Sequence, residues 1–248
     1  ASTDTLYGQQ SVAQDTSAIV PINAVTTAST TGATTYATGS WTEKNNALYL
    51  LTVVHTLATA PVAPSGFTDT HTGISWTALQ NVTNSAAGTN GEFIRIDQYT
   101  AQSSGTTNTT TTVNFVATQS GCTVIVDEFV GADSTGANGA SGFNALGTIE
   151  YIGTAAGQLF GSDPAGMRVA AFAHGTNEVT APGANMTELA DGAYATPATG
   201  AETAYTLQGG IDLSCTFATT ATYRLAAAVG VHDTVRPCTI TLNGVNVT

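Results

Sequence analysis

Short sequences in the first half of the chain recur, in the same order, in the second half. VVHT (Val53 to Thr56) is matched by FAHGT (Phe172 to Thr176), and WTAL (Trp76 to Leu79) by MTEL (Met186 to Leu189). TVIVDEFVGAD, which ends at Asp133, is matched by YRLAAAVGVHD near the C-terminus. The separation between matched residues shrinks steadily along the chain, which indicates longer loops in the first copy. The pattern predicts a duplicated unit of about 100 residues per copy.

Alternation of apolar and polar residues marks strands in both copies. Thr and Val are abundant whereas Lys, Glu, Leu and Met are scarce, which disfavours helices and favours half-buried sheet surfaces. Clusters of Gly, Ser, Asn, Asp and Pro separate these segments and mark loops. We predict strands over Ala47–Thr56, Glu92–Tyr99, Thr110–Thr118, Cys122–Val130, Met167–His174, Thr203–Leu207, Asp212–Ala218, Thr222–Val231 and Thr239–Val247.

The predicted fold class is all-β: an antiparallel β-sandwich of jelly-roll-like type, built from two similar halves of about 100 residues. Residues 1–30 are predicted to be an N-terminal arm, residues 31–147 the first β repeat and residues 148–248 the second. The copies could form two sandwiches or share one. We favour a shared sandwich because each copy offers only about five convincing strands. The last strand could close a sheet or pair with a neighbouring molecule.

The chain is acidic and carries few charges. It has 5 Lys and Arg against 17 Asp and Glu, a formal net charge of -12, and only 9% charged residues. Soluble domains typically have about 25%. So few cations cannot neutralise a run of phosphates, and an anionic membrane would repel the chain. No stretch approaches the ~18 consecutive apolar residues of a spanning helix. We therefore predict no nucleic-acid partner and no membrane partner.

The three cysteines, Cys122, Cys215 and Cys238, can form at most one internal disulfide. All three lie in apolar or alternating segments, where a free thiol behaves as a small hydrophobic side chain. We interpret them in that way, and the sequence leaves open whether any two of them pair.

The histidines are candidates for a metal site. His55 and His174 lie at equivalent points of the two copies, and His232 precedes Asp233 at the end of a predicted strand. Histidine and carboxylate side chains are ligands for transition metals. No closely spaced ligand motif accompanies them, and histidines at strand ends more often make structural hydrogen bonds. We therefore predict no metal and no cofactor.

Asp127 and Glu128 are a candidate acid pair of the kind used in glycoside hydrolysis. Neighbours on a strand point to opposite faces, so the two cannot share a substrate. The second copy has Ala227 and Ala228 at the aligned positions. We predict that Glu128 is a half-buried carboxylate hydrogen-bonded to a nearby Tyr, Trp or Arg. Motifs for a nucleophile elbow, a phosphate-binding loop or a paired-cysteine site are absent from the sequence. We expect a protein that is not an enzyme, with no catalytic residues.

Four aromatic residues, Trp41, Trp76, Tyr36 and Tyr99, are candidates for a platform on which a sugar could stack. A sandwich core also needs aromatic side chains, and we interpret these residues as core.

The segments ALYLLTVVHT, GISWTALQNV, IRIDQYTAQSSGTTNTTTTVNF and SGCTVIVDEFVGAD together resemble β-sandwich proteins encoded among the virion and tail structural genes of tailed phages. The resemblance covers roughly Thr34 to Asp133 and, more faintly, the second copy. The matching residues lie at predicted strand edges and turns and do not form an active-site motif. The resemblance implies a component of the virion surface. The N-terminal arm and the scarcity of basic residues depart from the pattern.

These observations lead to one hypothesis and two alternatives. We expect a non-enzymatic virion structural protein, on the capsid surface or in the tail, that assembles as a homo-oligomer through its sandwich faces and a terminal arm. Its expected location is the virion surface. Its expected partners are copies of itself and other virion proteins, and a host-surface glycan could be a further partner. The alternatives are a prokaryotic extracellular filament or surface-layer subunit that uses strand complementation, and a carbohydrate-binding β-sandwich module.

Overall fold

The computed structural model describes residues 19–88, 91–152, 167–177, 181–207, 213–216, 223–233, 240–242 and 245–247. In these residues the protein is all-β and its sheets are antiparallel, as predicted; one short 3-10 helix, Ala137–Gly142, interrupts the strands. The strands are β1 (Val20–Ser29), β2 (Ala33–Ala37), β3 (Trp41–Thr42), β4 (Leu48–Leu57), β5 (Gly66–Asp69), β6 (Thr77–Thr83), β7 (Phe93–Gln102), β8 (Asn108–Thr109), β9 (Thr111–Gln119), β10 (Gly121–Val130), β11 (Phe143–Ile152), β12 (Met167–His174), β13 (Ala181–Pro182), β14 (Thr187–Ala195), β15 (Ala198–Thr206), β16 (Cys215–Thr216), β17 (Tyr223–Val231), β18 (Ile240–Leu242) and β19 (Val245–Val247).

Ten strands form two five-stranded sheets. The first sheet has the order β1-β10-β4-β7-β6, and the second has the order β11-β17-β12-β15-β14. Each sheet draws its strands from one half of the chain only. Position by position, the two orders correspond: β4 and β12 are the central strands, β1 and β11 lie at one edge, and β6 and β14 lie at the other.

Irregularities in the strand pairing also fall at corresponding places. On the edge strands β1 and β11, the extra residues of the two register shifts are Ala24 and Leu146. On the opposite edge strands β6 and β14, they are Leu79 and Leu189. A β-bulge inserts one residue against a fixed partner strand, so its position is a sensitive marker of register. This agreement is what a duplicated unit predicts.

The two large sheets pack face to face through their inner faces. One apolar cluster joins Leu50 and Phe129 of the first sheet to Val169 and Val229 of the second. Across this interface β1 contacts β14, and β6 contacts β11. Because β1 corresponds to β11 and β6 to β14, the contacts are reciprocal, as in the interface of a two-fold symmetric dimer.

Smaller sheets cover the outer faces. The sheet of order β2-β9-β5 packs on the first large sheet, where Val113 and Phe115 meet Leu51 and Val53. The pair β13-β16 packs on the second, where Cys215 joins the cluster of Phe172. The result is a stack of four layers, consistent with an all-β sandwich. The jelly-roll type and the two similar halves stay predictions.

Near both ends of the chain, the observed strands differ from the segments that the sequence predicts. Val20–Ser29, within the predicted arm, forms β1 and pairs along its length with β10, whereas residues 1–18 lie outside the described residues. The strand predicted over Thr239–Val247 is instead a pair of short strands, β18 and β19, bonded to each other. The sequence between them, Asn243-Gly244, is a strong hairpin signal that the prediction overlooked.

Candidate functional site

A buried polar network surrounds His55 on the outer face of the first large sheet. Its Nδ1 lies 2.9 Å from Oε1 of Gln119, and its Nε2 lies 3.0 Å from Oδ2 of Asp97. Arg95 donates to the same carboxylate through Nε and Nη2, at 2.8 Å and 2.7 Å. His55, Asp97 and Gln119 are buried. Both ring nitrogens are thus engaged, and the network ties β4, β7 and β9 together.

The pKa of Asp97 reflects this network. Burial alone raises the pKa of a carboxyl, but hydrogen bonds and charge from His55 and Arg95 outweigh it and hold the pKa of Asp97 below its ordinary value. The carboxylate is therefore a structural anion, held in place by a buried ring and a guanidinium.

A related set occupies the second large sheet. His174 pairs with Arg224 across the strands, as His55 pairs with Cys122. Glu202 pairs with Phe172, two residues from His174, as Asp97 pairs with Val53. Each outer face therefore combines a histidine, a carboxylate and a guanidinium, although the arginine comes from a different strand in each half.

The predicted metal candidates are not brought together. His55 and His174 lie on the outer faces of different large sheets, with the inner core between them. His232 lies elsewhere, and its backbone N–H donates to the carbonyl of Gly142 at 2.9 Å. Throughout the ranges that the structure describes, no group of three or more His, Cys, Asp or Glu side chains is placed to hold a metal.

The acid pair is divided between two faces of β10, as the strand geometry predicts. Glu128 faces outward and is buried: Lys44 Nζ donates to its Oε1 at 2.6 Å, and the Tyr49 hydroxyl donates to its Oε2 at 3.3 Å. The predicted tyrosine partner is Tyr49, but the prediction of a half-buried carboxylate was wrong, because Glu128 is only 2% exposed, and the prediction did not include Lys44. Asp127 faces inward, where Asn23 Nδ2 donates to its Oδ1 at 3.1 Å.

The alignment of this pair with Ala227 and Ala228 was wrong. Asp127 pairs with Leu50 as Val229 pairs with Val169, so the pairing places Val229 and Gly230 at the equivalent positions. A run of alanines offers no anchor for an alignment by sequence, whereas the bulge and the cross-strand pairs fix the register.

Most of the aromatic candidates belong to the core. Trp41 is 3% exposed, and Tyr36 and Tyr99 are 6% exposed, so their rings are closed to a sugar. Trp76 is half-buried and packs against the core cluster that contains the other three aromatic residues. Its Nε1 donates to Asp69 Oδ1 at 3.4 Å. Cys122 and Cys215 are buried free thiols, as interpreted, and Cys238 lies outside the described residues.

The sequence did not single out His71, yet its imidazole is oriented by a buried carboxylate. His71 Nδ1 lies 2.9 Å and 3.0 Å from the two oxygens of Glu43, and Ser103 Oγ donates to the same carboxylate at 2.5 Å. A Cβ at Gly73 or Gly105 would approach His71 Cε1 to 2.7 Å or 3.0 Å, so both positions favour glycine. The Glu43 carboxylate and the backbone at Gly73 and Gly105 thus restrict the orientation of the His71 ring.

In this cluster a buried carboxylate orients an imidazole that is partly exposed. The Glu43 side chain is 0% exposed, whereas that of His71 is 29% exposed. A carboxylate on one ring nitrogen commonly orients the other toward a metal or a proton. Here the Ser103 hydroxyl faces the carboxylate and not the ring, so the order of a Ser-His-Asp relay is not formed. The Glu43 carboxylate, which follows β3, thereby fastens β3 to the loop after β5.

A shallow groove of about 490 Å³ lies where the first sheet meets the turn between β14 and β15. Its polar lining includes Glu92 and Ser120, and Ser120 Oγ lies 3.2 Å from both Glu92 oxygens. Partial burial raises the pKa of Glu92. Because Ser120 Oγ donates to it, the Glu92 carboxylate already has a hydroxyl partner in the groove.

Across the ranges described, no helix has the length and apolar character needed to cross a membrane. Searches with this chain against models of protein families, curated proteins and solved structures found no match. The resemblance to tailed-phage proteins thus stays a prediction.

Proposed function

We propose that the protein is a non-enzymatic structural protein of a virion surface, on the capsid or in the tail, built as an internally duplicated block. Copies of the same chain and other virion proteins are its partners. A structural protein of a particle needs a rigid fold, an uncharged polar surface and more than one face that can contact neighbouring subunits.

The observation that carries the proposal is the reciprocal packing of two large sheets with the same strand order and the same bulge positions. Such packing places corresponding faces of the two halves on opposite sides of one molecule. A subunit of this shape can contact two equivalent neighbours with similar surfaces, which suits a shell or a tube.

The exposed face of the small sheet β2-β9-β5 adds support. Its outward residues include Thr35, Thr68 and Asn114, and Asn114 Nδ2 donates to Thr68 Oγ1 at 3.2 Å. Val116, on the same sheet, is 80% exposed. A surface of hydroxyls and amides lets copies approach without the charge repulsion that a net charge of -12 would otherwise impose.

Buried titratable groups support the non-enzymatic part of the proposal. Asp97 and His55 bond to each other, and Glu128 bonds to Lys44 and Tyr49. These groups stabilise the interior of the fold and are not directed into an open cleft.

The direct test is to locate the chain on a particle. Virus particles from a culture that produces the protein would be purified by density gradient and labelled with Fab fragments raised against the recombinant chain. We expect the chain in a fixed ratio to the major capsid or tail protein, with Fab density on the particle surface. Recovery of the chain only in the soluble fraction or the host cell wall would contradict the proposal.

One observation favours the filament alternative. β1 is an edge strand, and its Val20 and Ile22 are 49% and 39% exposed, beside Val130 at 39%. An open edge with apolar side chains can accept a strand from another molecule. Light scattering of the full chain and of a deletion of residues 1–18 separates the cases: loss of long polymers on deletion supports a filament, and an unchanged particle size opposes it.

A further inference from the structure

The interface between the two large sheets has two corresponding polar spots at its margins, where Asn23 and Gln80 are half-buried and Ala145 is exposed. Each spot lies where a bulged edge strand of one half faces the opposite edge of the other half. The first spot surrounds the bulge of β1, at Asn23 and Val25, and faces β14. The second surrounds the bulge of β11, at Ala145 and Gly147, and faces β6.

A backbone carbonyl beside each bulge accepts a side-chain amide. In the first spot, Asn23 Nδ2 donates to the carbonyl of Val126 at 3.3 Å, within its own half. In the second, Gln80 Nε2 donates to the carbonyl of Ala228 at 2.7 Å, across the interface between the halves. Val126 and Ala228 are equivalent, because each is the partner-strand residue next to the bulge. Each of the two equivalent carbonyls thus has an amide donor, which comes from the same half in the first spot and from the opposite half in the second.

The long polar side chains at both spots come from the first half. Gln80 and Gln98 serve the second spot, with Gln80 Nε2 also donating to Gln98 Oε1 at 2.7 Å. Asn23 and Asp127 serve the first spot. The equivalent positions of the second half hold short or apolar residues, matched through the strand pairing: Ala190 for Gln80, Thr203 for Gln98, Ala145 for Asn23 and Val229 for Asp127.

We propose that the two inner faces recognise each other as unlike partners, so that each face fits the opposite half and not a copy of itself. A pairing of two first halves would place Gln80 and Gln98 against Asn23 and Asp127, which overfills the spot with polar groups. A pairing of two second halves would leave the carbonyl of Ala228 without its amide donor, which is costly when buried. The partner that fits each face is the opposite half of the same chain.

A rescue experiment on the full chain tests this proposal. Gln80→Ala removes the amide that reaches across, and we expect its Tm to fall by about 4 °C. Ala145→Asn places an amide at the position equivalent to Asn23, and Ala145 is exposed, so there is room for it. We expect Ala145→Asn to restore at least half of the lost Tm in the Gln80→Ala chain, and to change the unmutated chain little.

Two further variants keep the outcome clear. Asn81→Ala alters the exposed neighbour of Gln80 on the other face of β6, and its Tm should match that of the unmutated chain. Ala190→Gln gives the second half a long side chain where Asn23 and Asp127 already fill the space, and it should lower the Tm. Additive effects of Gln80→Ala and Ala145→Asn, or an Ala190→Gln chain as stable as the parent, would overturn the proposal.

Discussion

Asp127 is a carboxylic acid buried between the two large sheets with only neutral groups around it. Asn23 donates to its Oδ1, and the Thr203 hydroxyl of the opposite sheet lies close. Burial raises its pKa from 3.8 to about 6, although these two neighbours act in the opposite direction. Its other oxygen, Oδ2, has no hydrogen-bond partner among the residues described. The ionised form is therefore the disfavoured one inside the fold.

This sets the sign of a pH effect. A group whose pKa is raised on folding contributes stability below its unfolded pKa, and that contribution is lost as the pH rises through the folded value. Asp127→Asn should therefore raise the free energy of unfolding by about 2 to 3 kcal/mol at pH 7 and change it little at pH 4. Urea unfolding of both proteins at the two pH values measures this, and a variant that is less stable at pH 7 would contradict it.

Asp97 should behave in the opposite way. Its pKa lies below the ordinary value because His55 and Arg95 stabilise the carboxylate, so its contribution is present above the unfolded pKa and lost as the pH falls. Asp97→Asn should lower the free energy of unfolding by about 3 kcal/mol at pH 7. Urea unfolding of the parent and the variant at pH 7 and at pH 3 should show a smaller loss at pH 3. An equal loss at both pH values would mean that the charge of Asp97 is not what matters.

At the scale of the elements, the first residue of β10, Gly121, lies close to Tyr194 on β14 of the second large sheet. An added Cβ at Gly121 would lie 2.5 Å from Tyr194 Cε2. Tyr194, on β14, is buried, and its hydroxyl bonds to Thr56 Oγ1 at 3.1 Å, so the ring has little room to move.

Gly121→Ala should consequently destabilise the protein by about 1 to 3 kcal/mol through overpacking. Gly66→Ala on β5 is the matched control, because nothing lies within 4 Å of its Cβ position. Thermal unfolding followed by circular dichroism compares the two variants. A Gly121→Ala protein with the Tm of the Gly66→Ala protein would show that β10 and Tyr194 are not in contact.

Most long strands in the interior of the two large sheets were predictable, and bulged edge strands were not. β4, β7, β10, β12 and β17 lie close to their predicted ranges because both faces are buried and the sequence contrast is strong. β1 contains Pro21 and a bulge at Ala24, and β6 contains a bulge at Leu79, so their alternation is broken where the register shifts. Sequence periodicity carries no record of such a shift.

At the scale of the whole molecule, the four layers bring together residues that lie far apart in the sequence. Glu43 and His71 meet only because β3 and the loop after β5 pack at the same end of the outer layer. Gln80 reaches Ala228 only because the two large sheets face each other. Neither pair carries a spacing motif, so the sequence could predict the all-β fold class but not these contacts.

The central claim is that the two halves pack reciprocally, and engineered disulfides test it most directly. A Cβ at Gly192 on β14 would lie 3.7 Å from the Ala28 Cβ on β1, within the range of a disulfide. Thr123→Ser removes the methyl that lies 2.9 Å from this position. The corresponding pair, matched through the strand pairing, is Val82 on β6 and Glu150 on β11.

Cysteine pairs at Ala28 with Gly192, and at Val82 with Glu150, would each be introduced into the Thr123→Ser chain, oxidised and mapped by mass spectrometry of linked peptides. We predict a cross-link in both proteins and none in a control that pairs Ala28 with Val82, which lie on opposite edges of one sheet. A cross-link in the control, or its absence from either matched pair, would contradict the reciprocal packing of the two halves.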